Sequence, residues 1–281
     1  LIIARWLGVS FYGSYNLINA FIVIFSFLPD LGTNLIVIRD LAKSPRKRPV
    51  LIGQAVTINL IFSAVAFIII AVSFPIYAPH TNVLLAVIFA AATLVVSSLR
   101  TIAKLAFDAA EAMHISALFT ILNSVSSLSL ALIGLSLTHN LTGLFAGAFL
   151  GTCLSFIIEW FISLKTFTWP RIPLKIFPTL NLLKQGLPLG LAAATALLYT
   201  QIDTLILGRF MSLQYVGWYS AAATLVFGLL QLNVPLMAAV YPALSRRHPQ
   251  PQRFRELIWQ VSGIILAWTL PWKGVALWKA A

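Results

Sequence analysis

Eight ionisable side chains fall inside or at the rims of long apolar runs: Arg5, Asp30, Arg39, Arg100, Lys104, Glu159, Asp203 and Arg209. A charge held in hydrocarbon is expensive, so such residues mark a transport path or a water-filled cavity unless their stems reach back to the interface. That second reading suits the rim residues Arg5, Arg100 and Arg209, which would then bind lipid phosphates. Arg39 carries a fixed positive charge and a planar fork of N–H donors that matches phosphate oxygens. The plainer alternative keeps it at the rim with Arg46, Lys47 and Arg48, against lipid headgroups. Asp203, flanked by Tyr199 and Gln201, could accept hydroxyls, hold a cation or take part in proton coupling, with structural pairing as the ordinary alternative.

Other chemistries lack the residues to carry them. There is no Gly-x-x-x-x-Gly-Lys-Ser/Thr loop to cradle nucleotide phosphates, and no nucleophile or zinc motif. The four histidines, His80, His114, His139 and His248, fall in connections and share no ligand spacing. The single cysteine, Cys153, lies within an apolar run, which excludes an intrachain disulfide and a cysteine cluster. No enzymatic activity, cofactor or metal is expected.

The elements that position these charges follow from composition. Hydrophobic residues make up 60% of the 281 positions and charged residues 9%, where an average soluble domain has about 25% charged. Mean hydropathy is +0.94. Apolar runs cover 1–7, 11–39, 51–76, 82–106, 115–137, 141–164, 187–210 and 216–243, with a further one starting at 257. About 20 apolar residues cross a ~30 Å hydrocarbon core as a helix, whereas a transmembrane barrel would show much shorter alternating segments. The expectation is an all-α, polytopic membrane protein with about eight to nine spans. The chain starts inside an apolar segment without Met and ends within another, so it reads as an incomplete chain.

A formal charge of +12 would point a soluble protein toward nucleic acid. Here most of the 19 Lys and Arg cluster after every second span, at 39–48, 100–104, 165–184 and 246–255. Basic loops on alternate sides mark the cytoplasmic face, which predicts a cytoplasmic N-terminus and membrane lipids, not nucleic acid, as partners. The opposite loops, near His80 and His139, are too short for an outer domain.

One ungapped self-match stands out. Arg5-Trp6-Leu7-Gly8-Val9-Ser10-Phe11-Tyr12-Gly13-Ser14-Tyr15-Asn16 aligns with Arg209-Phe210-Met211-Ser212-Leu213-Gln214-Tyr215-Val216-Gly217-Trp218-Tyr219-Ser220. An even number of spans separates the copies, so both face the same way. That predicts two parallel-repeat helical bundles, 1–163 and 186–281, with the substrate path between them. The 164–185 linker mixes Pro170, Pro173 and Pro178 with aromatic and basic residues, as suits a segment on an anionic leaflet. Gly143, Gly147, Gly151 and Ser155 form a small-residue row that allows close helix packing, inside the bundle rather than in a dimer.

These stretches, together with Asp30-Leu31-Gly32, Arg39-Asp40-Leu41-Ala42, Gly186-Leu187-Pro188, Asp203-Thr204-Leu205-Ile206-Leu207-Gly208 and Tyr241-Pro242-Ala243-Leu244-Ser245, resemble the polysaccharide biosynthesis or oligosaccharide flippase family. The likeness runs to about residue 263. It implies the fold of the multidrug, oligosaccharidyl-lipid and polysaccharide exporter superfamily. It further implies that a lipid-linked oligosaccharide, a polyprenyl pyrophosphate bearing sugars, is moved across a bacterial inner membrane. Arg39, Asp203, Asp30, Arg5, Arg209 and Arg100 are the candidates to line that path, and other polysaccharide-assembly enzymes are further candidate partners. A cation-coupled drug exporter of the same superfamily and a membrane-embedded polymerase or ligase are the alternatives. Few acids and short outer loops argue against them.

Overall fold

The computed structural model describes residues 8–44, 48–78, 83–167 and 176–231. Arg5, the linker prolines Pro170 and Pro173, and the runs beyond 231 lie outside them. Eight helices and no strand occur among the described residues: α1 (Val9–Phe25), α2 (Thr33–Lys43), α3 (Arg48–Tyr77), α4 (Leu84–Asp108), α5 (Met113–Thr138), α6 (Leu141–Thr166), α7 (Ile176–Phe210) and α8 (Leu213–Gln231). Helices α3 to α7 are long and apolar enough to cross a membrane. The chain divides into two compact units, 1–220 and 221–281. Within the second, the described part is the C-terminal portion of α8.

The apolar side chains that face outward on α3 and α5, among them Ile61, Ile68, Val72, Leu118, Ile121, Val125 and Leu128, suit a surrounding of lipid tails rather than water. Short polar signals set the turns. α5 ends on His139 in the left-handed conformation, and the Asn140 side chain accepts a hydrogen bond from the Gly143 N–H at 2.8 Å to open α6. The two helices therefore form an antiparallel hairpin. Its seam is the glycine row: a Cβ at Gly143 would meet Thr138 and the Gly134 carbonyl, and one at Gly147 the Leu130 carbonyl. At Gly151 it would meet the Ser126 carbonyl. Ser126 and Ser155 hydroxyls hydrogen-bond across the same seam at 2.6 Å.

Two boundaries differ from the hydropathy expectation. The run 11–39 is one apolar stretch by composition, yet it folds as two helices separated by a turn at 26–32. Pro29 has no N–H to continue a helix, and Leu31 (φ 45°) and Gly32 (φ 77°) are both left-handed. Asp30 then closes an Asx turn by accepting from the Gly32 N–H at 2.7 Å. The 164–185 linker is also partly helical: α6 runs to Thr166, and α7, 35 residues long, starts at Ile176 and passes through Pro188 to Phe210.

α7 lies along α1 and α2. Gly186 and Gly190, one turn apart, bring its backbone onto Leu31, Gly32 and Thr33 of the turn, and Gly208 receives Leu17. The Tyr77 hydroxyl donates to the Leu205 carbonyl. Where α1 and α8 begin, the aligned segments of the self-match face each other reciprocally. A Cβ at Gly13 would strike the Leu213 carbonyl, and one at Gly217 would strike that of Val9.

Apolar packing falls into two layers. One joins Leu17, Ile18, Phe21, Ala66, Ile70, Phe74, Ala90, Leu94, Leu135 and Phe145; the other joins Ile36, Val37, Leu41, Ile52, Ile58, Ile102, Leu105 and Leu182. Polar residues lie between these layers: Asp30, Thr33 and Asn34 at the turn, Asn59 and Ser63 on α3, and Ser97, Ser98, Arg100 and Thr101 on α4. Ser155 and Glu159 on α6 join them.

Candidate functional site

Three helices turn polar residues toward one groove: Thr93 and Ser97 on α4, Asn123, Ser124 and Ser127 on α5, and Tyr15 and Asn19 on α1. Arg100 and Lys104 on α4 and Thr120 on α5 continue the same helix faces beyond it. Spacings of three, four and seven place each set on one helix face. The groove has a volume of about 380 Å3 and is lined by Tyr15, Asn19, Thr93, Ser97, Asn123, Ser124 and Ser127 with apolar neighbours such as Leu128 and Phe145. Tyr15 stacks on Phe145 with ring centroids 5.7 Å apart.

The hydroxyls here donate to backbone carbonyls. Thr93 donates to Phe89 at 2.8 Å and Ser97 to Leu94 at 3.0 Å. Ser124 donates to Thr120 at 2.9 Å. The Asn19 amide N–H donates to the Tyr15 carbonyl at 2.9 Å, and the buried Asn123 Oδ1 has no hydrogen-bond partner. With the Thr93, Ser97 and Ser124 protons committed to the helices, their oxygens remain as acceptors toward the groove, beside the amides of Asn19 and Asn123 and the Tyr15 hydroxyl. A polyhydroxylated ligand would supply the missing donors.

Below the groove the charges pair. The Arg100 guanidinium donates from Nη1 to Glu159 Oε1 at 2.8 Å, joining α4 to α6, with the two side chains 11% and 0% exposed. Burial this complete of an ion pair is tolerated only with close contact between the partners. Arg100 thus points into the bundle and not to an interface. Lys104, one turn along, donates to the Thr120 hydroxyl at 2.8 Å, where its ammonium closes the lower end of the stripe.

Residues 1–248 match the sequence profile of the family described as polysaccharide biosynthesis protein. The chain belongs to that family. No curated protein and no solved structure matches it. In this member of the family the charges singled out by sequence are dispersed. Arg39 is half exposed near the end of α2, paired with Asp40 at 2.9 Å and donating to Gln185 Oε1 at 3.3 Å. Asp203 is exposed on α7 and accepts from the Tyr219 hydroxyl at 2.9 Å. Arg209 is exposed in the last turn of α7. Asp30 and Arg100 do come together, in a second pocket of about 180 Å3 that shares Leu94 and Ser97 with the groove.

Sequence reasoning missed the uncharged groove residues, because single serines, threonines and asparagines are common within apolar helices. The available signal was polar periodicity inside apolar spans, most plainly Thr120, Asn123, Ser124 and Ser127. Among the described residues no cluster of three His, Cys, Asp or Glu side chains is placed to hold a metal.

Proposed function

We propose that this chain flips a lipid-linked oligosaccharide, a polyprenyl pyrophosphate bearing sugars, across the bacterial inner membrane by alternating access, without catalysing a covalent step. The observation that carries the reading is the groove of hydroxyl and amide groups set among membrane-length helices. Sugar hydroxyls stripped of water need partners, or their burial costs several kcal/mol, and the groove offers amide, serine and threonine oxygens. A pyrophosphate needs cations. Lys104 stands at the end of the stripe and Arg39 on the same side of the bundle, while the polyprenyl tail remains in lipid beside the apolar face of α5.

Alternating access requires two bodies that rock about a shared axis. The reciprocal approach of Gly13 to Leu213 and of Gly217 to Val9 is what a twofold relation between halves 1–163 and 186–281 would produce at its axis. Lys43, Arg48 and Lys165 occupy one end of the bundle, which the positive-inside rule assigns to the cytoplasm. A drug exporter that exchanges cationic cargo for ions would want acids in the groove, and its lining contains none.

The test is complementation of a flippase-deficient host by the full-length gene, with membrane levels of each variant matched. Lys104→Ala and Asn123→Leu are expected to lower surface polysaccharide at least tenfold, with partial recovery for Lys104→Arg, and Arg39→Ala and Asp203→Asn to lower it less. Wild-type polysaccharide levels from all four of the Ala, Leu and Asn variants would overturn the reading.

A further inference from the structure

The second pocket has a different character from the groove. It is lined by Ser26, Pro29, Asp30, Asn34, Asn59, Ser97, Ser98, Arg100 and Thr101, and it lies between the two apolar layers. Its hydroxyl donors point away from it. Ser26 donates to the Val23 carbonyl at 2.7 Å, Ser98 to Val95 at 2.8 Å and Thr101 to Ser97 at 3.0 Å. Asn59 is fully buried and its amide N–H donates to the Ala55 carbonyl at 3.0 Å, which fixes the side-chain orientation and leaves Oδ1 without a partner. Asn34 is 9% exposed and its Oδ1 is likewise unpartnered.

Charge adds to this. Arg100 has its own carboxylate in Glu159, and Lys104 is held on Thr120. Asp30 makes no ion pair among the described residues; its carboxylate accepts from the Gly32 N–H at 2.7 Å and from the Asn34 side chain. An unpaired carboxylate at membrane depth calls for a counter-charge. α1 ends at Phe25 on the border of this pocket, so the negative end of its dipole faces the same space. Interrupted helices whose C-terminal ends meet a polar pocket are a recurrent way to coordinate cations in transporters. Against these acceptors stands one unpartnered donor, Arg100 Nε.

We propose that this pocket binds a monovalent alkali cation, sodium being the natural candidate, through the Asp30 carboxylate, the carbonyl oxygens of Asn34 and Asn59, and hydroxyl oxygens of Ser97, Ser98 and Thr101. A single unpaired carboxylate matches a single positive charge. A divalent ion would leave net charge in the layer, and calcium sites are usually built from several carboxylates. The site couples ion occupancy to the turn at 26–32, because Asp30 both lines the pocket and caps that turn. It does not depend on which cargo is carried.

The experiment measures radioactive sodium binding to the purified full-length protein in detergent by scintillation proximity, with choline replacing sodium at constant ionic strength. Saturable binding is expected for the wild type. Asp30→Asn and Asn59→Leu should each weaken it at least tenfold, and Glu111→Gln, on the exposed α4–α5 turn, should leave it unchanged. If Asp30→Asn does not elute as a monodisperse species, Asn59→Ala carries the comparison. Absence of saturable binding in the wild type would overturn the proposal, as would wild-type affinity in folded Asp30 and Asn59 variants. Binding and not transport is read, so the outcome stands apart from the complementation result above.

Discussion

The Arg100–Glu159 pair permits a quantitative test of how this bundle is held together. At 2.8 Å and an effective dielectric constant of about 20, the Coulombic attraction is roughly 6 kcal/mol. Desolvation offsets much of it, so the pair's net contribution is small. Removing one partner is a different matter, because Glu159 is 0% and Arg100 11% exposed and the survivor keeps its desolvation cost. Glu159→Gln and Arg100→Gln should each destabilise the protein by about 3 kcal/mol. The double variant, with both charges gone and two amides facing each other, should lose far less than the sum, giving a coupling energy of about 2 kcal/mol or more. Reversible unfolding of purified protein in mixed detergent micelles, run as a double-mutant cycle, measures it. Additivity within about 0.5 kcal/mol would mean that the two side chains do not sense each other, and the ion pair would no longer explain the burial of Glu159.

Two further outcomes are expected. In a Cys153→Ser background, single cysteines at Ser44 and Thr81 should be labelled from opposite sides, Thr81 but not Ser44 reacting with an impermeant thiol reagent on intact cells. The reverse pattern would invert the proposed topology. Gly147→Ala should cost about 1–3 kcal/mol, read as a lower unfolding midpoint, because its new Cβ meets the Leu130 carbonyl of α5. An unchanged midpoint would show that the α5–α6 seam is looser than described.

Helices α3, α4, α5 and α6 were legible from hydropathy alone, each within a few residues of its final bounds, because an apolar run of spanning length has one stable conformation in lipid. The 26–32 turn was not. Averaging over a window erases Pro29, Asp30 and Gly32, whose effect is on backbone angles and not on polarity. Arg100 and Glu159 each stand out in the sequence as charges in apolar surroundings, but they are 59 positions apart, and only the packing of α4 against α6 makes them partners. The polar pocket has the same origin. Asn34, Asn59 and Ser98 are unremarkable along their own helices and acquire meaning from lying at one depth in the folded bundle.

The interrupted span formed by α1 and α2 bears on how the protein is made. α1 has 17 residues, a length of about 25 Å, short of the ~30 Å that a lone helix must cover. Its continuation, α2, carries Arg39, Asp40 and Lys43. During synthesis this segment is therefore a poor candidate for independent release into lipid. Asn59 and Ser98, the oxygens around Asp30, arrive only with α3 and α4. Gly186 and Gly190, which seat the turn, are translated some 150 residues after it. This span is consequently expected to settle only once α7 has emerged, so that lesions at Gly186 or Gly190 should register as insertion defects of α1 and α2.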